Sequence, residues 1–503
     1  MDLTIVAIVL AILVLLLVAE IPVAFALLVS GATGLALLSG TDVAGSSLAR
    51  LPFESTAKYT LVVIPMFVAM GVFAKQGGMA IGLFRLASRA LRGVPGGLAL
   101  AALVACAGFA AVSGSSVATV VSIGRLSIEE MRKLGYSATF AAGVIGATGT
   151  LGVLIPPSVI LVIYGVLTGE SIGALLIAGI LPGLLSVVLY ALAIIYRAYR
   201  HPEQVGREPR SARAGDSKDA DATAWSSATT SERSVSASTL AATAAASETA
   251  RSGQRVETDG TVADSEREDA APSDVDPMER NAPGGWGGVL RIGILFTIVV
   301  GGIYSGIFTA IESAAVGAAA ALVILVVDSI RISIGVLWQR FRDGIIEAVS
   351  INSMVFMLLI GAGVFSTFIV TAGIPAAFTN FAVGLDVSPW LVVTILVLAF
   401  IPLGMFLDPI SMMLIGVPLA YPVVTALGFD GLWFGIIVVV MIEVGFITPP
   451  LGINAYVVAG TVKDISVETA FRGILWFLPV NLLTIVILFL FPQIVLWLPA
   501  AVR

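Results

Sequence analysis

The sequence predicts an all-α polytopic membrane protein made of two inverted repeats. Each repeat is expected to have about five membrane crossings, one of them broken, and one re-entrant helical hairpin. Three observations predict this. Of the 503 residues 58% are hydrophobic and only 12% charged, with a mean hydropathy of +1.03, and many apolar runs reach the roughly 20 residues that a helix needs to cross a bilayer. A polar segment from His201 to about Gly285 divides the apolar chain into halves. Each half then carries the same punctuation, a polar or Gly-rich tip about 40 residues before a Pro-Pro pair.

In the first half, residues 1–200, Leu3–Ala19 and Pro22–Leu38 read as spans separated by Glu20-Ile21-Pro22. Glu20 lies at a span end, where an ionisable group reaches the interface cheaply. The first run lacks a basic n-region and a small-residue cleavage site, so no signal peptide is expected. A polar loop with Asp42, Arg50, Glu54 and Lys58 leads to a third span, Thr60–Ala74.

Lys75, Arg85, Arg89 and Arg92 precede the apolar stretch Leu98–Ile123, and Arg125, Arg132 and Lys133 follow it. Basic residues mark the cytoplasmic side. A stretch that is basic at both ends therefore enters and leaves from the cytoplasm, as a hairpin over about 98–124 turning at Ser113-Gly114-Ser115-Ser116. The next apolar region, about 138–166, is interrupted at Gly149-Thr150-Leu151-Gly152 and again at Ile155-Pro156-Pro157-Ser158. Consecutive prolines remove two amide donors and clash with the preceding turn, which predicts two half-helices around an unwound midpoint. Ile172–Tyr196 spans back to the cytoplasm at Arg197 and Arg200.

Residues 201–285 are of another kind. They hold 16 acids and 9 bases between His201 and Arg280 and almost no large apolar side chains. Such a composition cannot bury a core and is expected to be a disordered cytoplasmic linker. It also accounts for the formal net charge of −6.

The second half, residues 286–503, repeats the pattern. Val289–Phe308 and Ser313–Val327 read as spans, Arg331, Arg340 and Arg342 lie on a cytoplasmic amphipathic stretch, and Ile345–Val370 is a span. No Lys or Arg occurs from Asp343 through Val462. The hairpin inside that region, about 389–425, turns between Pro402 and Pro409 and is flanked by Asp386 and Asp430, so it opens from the outside. A broken helix over about 432–460 is interrupted at Thr448-Pro449-Pro450-Leu451-Gly452. Lys463 and Arg472 mark the cytoplasm again before a last span, Gly473–Leu498. Both termini are expected outside.

An odd number of crossings per half inverts the second half, and the charge flanks agree independently. Inverted repeats with breaks at matching positions point to a secondary transporter with its site at the midplane. Irregular backbone at membrane depth persists only where it lines a cavity or is buried in protein. Half-helix N-termini attract an anion, while freed carbonyl and hydroxyl oxygens suit a hard cation. Close packing through small residues is the competing account of the Ser-Gly tip. Asp408 is the carboxylate expected at depth and so a functional-site candidate. It is equally a helix N-cap, followed by Pro409 at the first helical position. Glu443, shortly before the second break, is left without a role.

Other function classes are excluded or disfavoured. The one cysteine, Cys106, forbids an internal disulfide. The only histidine, His201, lies in the polar insert, so a membrane-embedded Ser–His or His–metal enzyme has no histidine to use. No P-loop pattern occurs, and no lysine at membrane depth is available to a Ser–Lys hydrolase. The chain is not expected to be an enzyme, and its surroundings are lipid, not nucleic acid.

Seven stretches resemble the large membrane (M, DctM-like) subunit of tripartite ATP-independent periplasmic (TRAP) transporters. They are IPMFVAMG at 64–71, GVPGGLALA at 93–101, AVSGSSVATVVSIG at 111–124, AAGVIGATGTLGVLIPPSVILVIYG at 141–165, AGILPGLL at 178–185, GMFLDPISMMLIGVPLAYPVV at 404–424 and IEVGFITPPLGINAYVVAG at 442–460. They run through both halves, in order. The resemblance implies sodium-coupled import of an organic acid across the inner membrane by an elevator mechanism. A dicarboxylate, sugar acid, keto acid or zwitterion would all qualify as cargo. It further implies a periplasmic substrate-binding protein and a small four-helix membrane subunit, the latter expected on a separate chain. It places one sodium ion at Ser113, Ser115 and Ser116 with Gly149 and Pro156. A second falls at Gly404 and Asp408 with Thr448 and Pro449, and the substrate near Thr119 and Asn454. Two features depart from the family pattern: the insert after Arg200, and Phe308-Thr309-Ala310-Ile311-Glu312, where Thr-Pro-Thr-Glu is usual. A carrier of the same architecture that works without a binding protein is the alternative.

Overall fold

The computed structural model describes residues 3–205, 285–384, 386–450, 452–462 and 464–502. The expected disorder of the insert falls, beyond Val205, outside the described residues. The fold is all-α. Among the described residues nine helices are long and apolar enough to cross a membrane, and the only β pairing is an isolated bridge between Tyr136 and Val205. That bridge, a hydrogen bond from the Ser137 amide to the Gln204 carbonyl (3.0 Å) and another from Arg197 Nε to Gln204 Oε1 (2.9 Å) hold the chain where it leaves the first half.

Both hairpins form. The first has arms Gly97–Ser113 and Ser116–Lys133, and the second has arms Pro389–Phe406 and Pro409–Ala426. Both apolar regions with Pro-Pro pairs are broken helices. The first comprises Ala138–Thr148, a single turn Leu151–Leu154, and Val159–Thr168. The second comprises Gly431–Ile447 and Ile453–Thr461. Pro156-Pro157 and Pro449-Pro450 are both cis.

The two repeats interlock. Arm Ser116–Lys133 of the first hairpin packs on Ile453–Thr461 of the second broken helix, and arm Pro409–Ala426 of the second hairpin packs on Val159–Thr168 of the first. Gly431–Ile447, buried at every residue, runs through the centre. Lipid is as apolar as leucine, so such helices associate through close packing and hydrogen bonds. Trp433 Nε1 accordingly donates to the Leu488 carbonyl at 2.9 Å, and the Tyr164 hydroxyl to the Gly431 carbonyl at 2.7 Å.

A second group of helices flanks these elements. The long helix Ile334–Thr371 lies along Val23–Ser39, and a Cβ on Gly31 would stand 2.7 Å from the Phe365 backbone. Only a small residue admits that approach. Lys75 Nζ meets Glu347 Oε1 at 2.6 Å, with the side chains 21% and 19% exposed, and joins helix Val63–Gln76 to the long helix.

The structure corrects several sequence-based boundaries. Thr41–Thr56, expected as a polar loop, is a helix that buries Ala44 and Leu51 and keeps Arg50 and Glu54 outside as an i,i+4 pair. The amphipathic stretch with Arg340 and Arg342 continues into the following span as one 38-residue helix, because nothing in its sequence breaks the turn. Ile374–Gly384 is an additional short helix. The last span is three helices, Val467–Leu475, Leu478–Leu490 and Gln493–Val502, with Pro479 and Pro492 at the interruptions. The altered motif at Thr309 and Glu312 forms a reciprocal capping box at the start of Ala310–Ile330. That satisfies two free amides without the family's proline.

Candidate functional site

Each hairpin meets the broken helix of its own repeat near its tip. At the first tip Gly114 adopts φ +60, a left-handed conformation that lets the chain reverse within two residues. Ser115 then caps the returning arm, its Oγ accepting from the Ala118 amide at 3.4 Å. The Ser115 carbonyl accepts from Thr119 Oγ1 (2.8 Å) and Ser113 Oγ (3.5 Å), and these two hydroxyls are 3.1 Å apart. Ser116 Oγ donates to Asn454 Oδ1 at 3.0 Å, and Asn454 Nδ2 donates to the Gly146 carbonyl at 2.8 Å. Ser113, Ser116, Thr119 and Asn454 are all buried.

The first break lies directly behind this tip. A Cβ on Gly152 would stand 2.5 Å from the Ser115 carbonyl oxygen, and one on Gly114 2.6 Å from the Pro157 carbonyl oxygen. Ser158 caps the second half-helix, accepting from the Leu161 amide and donating to the Val153 carbonyl. The structure thus brings Ser113, Ser115, Ser116, Thr119 and Asn454 together. It does not seat the tip on the other two predicted residues of this group. Gly149 packs one turn down, against Val120. Pro156 lines a small apolar cleft with Leu176, Ile177, Val299 and Val300. The break meets the tip through Gly152 and Pro157 instead.

At the second tip Leu407 is extended and Asp408 caps the returning arm, with Pro409 at the first helical position. Asp408 Oδ2 accepts from the amides of Ile410 (3.1 Å) and Ser411 (3.2 Å), and Oδ1 accepts from Ser411 Oγ. The carboxylate's hydrogen bonds therefore stay within its own first helical turn. Gly404 meets the break at Gly445, with a Cβ on Gly404 falling 3.0 Å from the Gly445 Cα. Thr448 Oγ1 donates back to the Val444 carbonyl at 2.6 Å, and Pro449 is half-buried.

The two constellations are related by a constant offset. Adding 293 to Ser115, Gly152 and Pro156 gives Asp408, Gly445 and Pro449. In each repeat the hairpin backbone meets a glycine of the broken helix, at the capped start Ser115 in the first and at Gly404, in the arm before Asp408, in the second. The first constellation offers hydroxyl and carbonyl oxygens, and the second a carboxylate. Glu443, left without a role by the sequence, is wholly buried and has no hydrogen-bond partner for either oxygen among the described residues. The same offset pairs it with Thr150, and that was its signal in the sequence.

Residues 10–494 match the family model described as the DctM component of the tripartite ATP-independent periplasmic transporter. The chain belongs to this family. It is 32% identical over 477 residues to the C4-dicarboxylate TRAP transporter large permease protein DctM of Pseudomonas aeruginosa, covering 93% of this chain and 92% of that protein. It is 30% identical over 443 residues to the Ectoine TRAP transporter large permease protein TeaC of Halomonas elongata, covering 87% and 86%. A crystal structure of the Alcanivorax borkumensis YdaH transporter shares the fold, with a TM-score of 0.54 at 15% identity over 97% of this chain and 98% of that one. This DctM protein is thus a multi-pass TRAP transporter large permease, a transport protein and not an enzyme. Large permeases of this family work with a small membrane subunit and a periplasmic binding protein.

Proposed function

We propose that this large permease imports an organic acid by sodium symport, and that a periplasmic binding protein delivers the acid. The observation that carries the reading is the repeat-related pair of tips, in which Ser115 and Asp408 each cap the start of a helix and each hairpin backbone meets a glycine of a broken helix, Gly152 at Ser115 and Gly445 at Gly404. Helix N-termini suit an anion, and unwound carbonyls with hydroxyl or carboxylate oxygens suit sodium. One sodium ion would be held around Ser113, Ser115 and Ser116, and the other around Asp408 with Gly404 and Thr448. The residues present fit the ion, since each tip supplies several oxygens within one helical turn. Pro449 at the second break would complete that site, while Gly149 and Pro156, set away from the first tip, would shape its break. The acid would sit between the tips, near Thr119 and Asn454. The two names among its relatives differ in substrate, so carboxylate is the class proposed and not C4-dicarboxylate in particular.

The interlocked hairpins and broken helices would move as one body against the flanking helices, in an elevator motion. The small four-helix subunit, on a separate chain, would brace those flanking helices. The protein would lie in the inner membrane with both termini outside and residues 201–285 in the cytoplasm, because Lys75 to Arg92, Arg132, Arg197 and Arg342 would then all face inward.

The test is uptake of labelled organic acids into proteoliposomes holding this chain, its small subunit and the binding protein, with and without an inward sodium gradient. Uptake that needs both sodium and the binding protein, and is lost in Asp408→Ala and Ser115→Ala, supports the proposal. Uptake that needs sodium but no binding protein replaces it with the stand-alone carrier. Uptake indifferent to sodium ends the symport reading.

A further inference from the structure

Glu443 lies about one turn before the end of helix Gly431–Ile447, is 0% exposed, and has no hydrogen-bond partner for Oε1 or Oε2 among the described residues. Three other buried polar side chains cluster on elements next to its helix: Tyr190, Thr150 and Asn481, whose helix Leu478–Leu490 packs on it. The Tyr190 hydroxyl donates to Asn481 Oδ1 at 2.6 Å and lies 3.5 Å from Thr150 Oγ1. Asn481 Nδ2 is buried and also without a partner. Thr150 and Glu443 each stand six residues before the first proline of their break, and Gly431–Ile447 packs on the turn Leu151–Leu154. The cluster therefore marks the crossing of the two broken helices.

A lone carboxylate that is desolvated and unpaired does not stay ionised; it neutralises with a proton or a cation. No base faces it. Helices Ile172–Ala178, Pro389–Phe406, Leu478–Leu490 and Gln493–Val502, which pack on its helix, carry no titratable side chain. Val159–Thr168, Pro409–Ala426 and Ile453–Thr461 bring only Tyr164, Tyr421 and Tyr456. Val467–Leu475 brings Glu468 and Arg472, which pair with each other and are both 73% exposed. Asp408 and Asp430 are occupied as helix caps. A metal ion would need several free oxygens, but Asn481 Oδ1 already accepts from Tyr190. The free group is the Asn481 amide donor, which suits a neutral acid's carbonyl oxygen and repels a cation.

We propose that Glu443 is a proton-binding site that holds a neutral carboxylic acid where the two broken helices cross. The proton sits on one Glu443 oxygen, and its loss would place an unpaired charge at the crossing. The site is independent of sodium coupling at the tips.

Infrared spectroscopy of the full chain with its small subunit in lipid nanodiscs tests this without transport. Near neutral pH the wild type should show a protonated-carboxyl C=O band that Glu443→Gln loses, with its thermal midpoint unchanged. That band should be the same with and without sodium. If no such band distinguishes the two proteins, the proposal is overturned. If sodium converts the band to the carboxylate form, the site is a metal-cation site and the proposal is equally overturned. Should Glu443→Gln fail to assemble, Tyr190→Phe serves instead. It shifts a protonated-carboxyl band if the proposal holds, and leaves every such band unmoved if it does not.

Discussion

Ser116 Oγ donates to Asn454 Oδ1 at 3.0 Å, so a side chain of the second repeat is bonded to the hairpin tip of the first. Asn454 also donates to the Gly146 carbonyl and thereby joins the first broken helix to that tip. Asn454→Ala would leave a buried hydroxyl and a buried carbonyl without this partner, at a cost of about 2 kcal/mol. Thermal unfolding of the purified protein should show a lower midpoint, and an unchanged one would count against the bridge.

Gly152 and Gly445 are the positions where each hairpin backbone reaches its break. A Cβ would stand 2.5 Å from the Ser115 carbonyl oxygen in one case and 2.9 Å from the Gly404 Cα in the other. Neither neighbour is a flexible side-chain end, so Gly152→Ala and Gly445→Ala should each cost about 1–3 kcal/mol through overpacking. Both should reach the membrane but lose transport in the proteoliposome assay. Gly45→Ala, with nothing within 4 Å, should behave as wild type.

Gly114 and Gly169 separate backbone strain from crowding. Both are left-handed, with φ +60 and +78, but only Gly114 has a neighbour in the way, the Pro157 carbonyl oxygen. Gly169→Ala should therefore cost only about 1–2 kcal/mol of left-handed strain. Gly114→Ala should cost visibly more by denaturant or thermal unfolding. Equal losses would show that the tip does not rest on the break.

Asp408 can be divided into cap and charge. Asn caps a helix as well as Asp does, so Asp408→Asn should keep the thermal midpoint while sodium-driven uptake falls. Asp408→Ala should in addition lose about 1 kcal/mol, the usual worth of an N-cap. If Asp408→Asn keeps full sodium dependence, the carboxylate is a cap alone.

Much of this arrangement was legible in the sequence. The breaks at Pro156 and Pro449 and the turns at Ser113–Ser116 and Pro402–Pro409 stood out because lipid offers no partner to a free amide or carbonyl. Interruptions of an apolar run are then conspicuous, and both hairpins and both broken helices appear where their residues imply. Thr41–Thr56 was not legible, since its polar composition resembles a loop until the long helix covers Ala44 and Leu51.

Within the site, the sequence led to the tips but not to their contacts. Pro156 was expected beside Ser115, yet it lines an apolar cleft with Leu176 and Val299, and Gly152 and Pro157 make the approach. The sequence by itself determined where the backbone must be irregular, because proline, glycine and helix-capping residues act locally on their own turn. Only the tertiary structure decided that each hairpin packs on the other repeat's broken helix, that Asn454 bonds Ser116, and that Glu443 is fully enclosed. Those are contacts between residues far apart in the chain, and they depend on how closely helices approach, which no local pattern encodes.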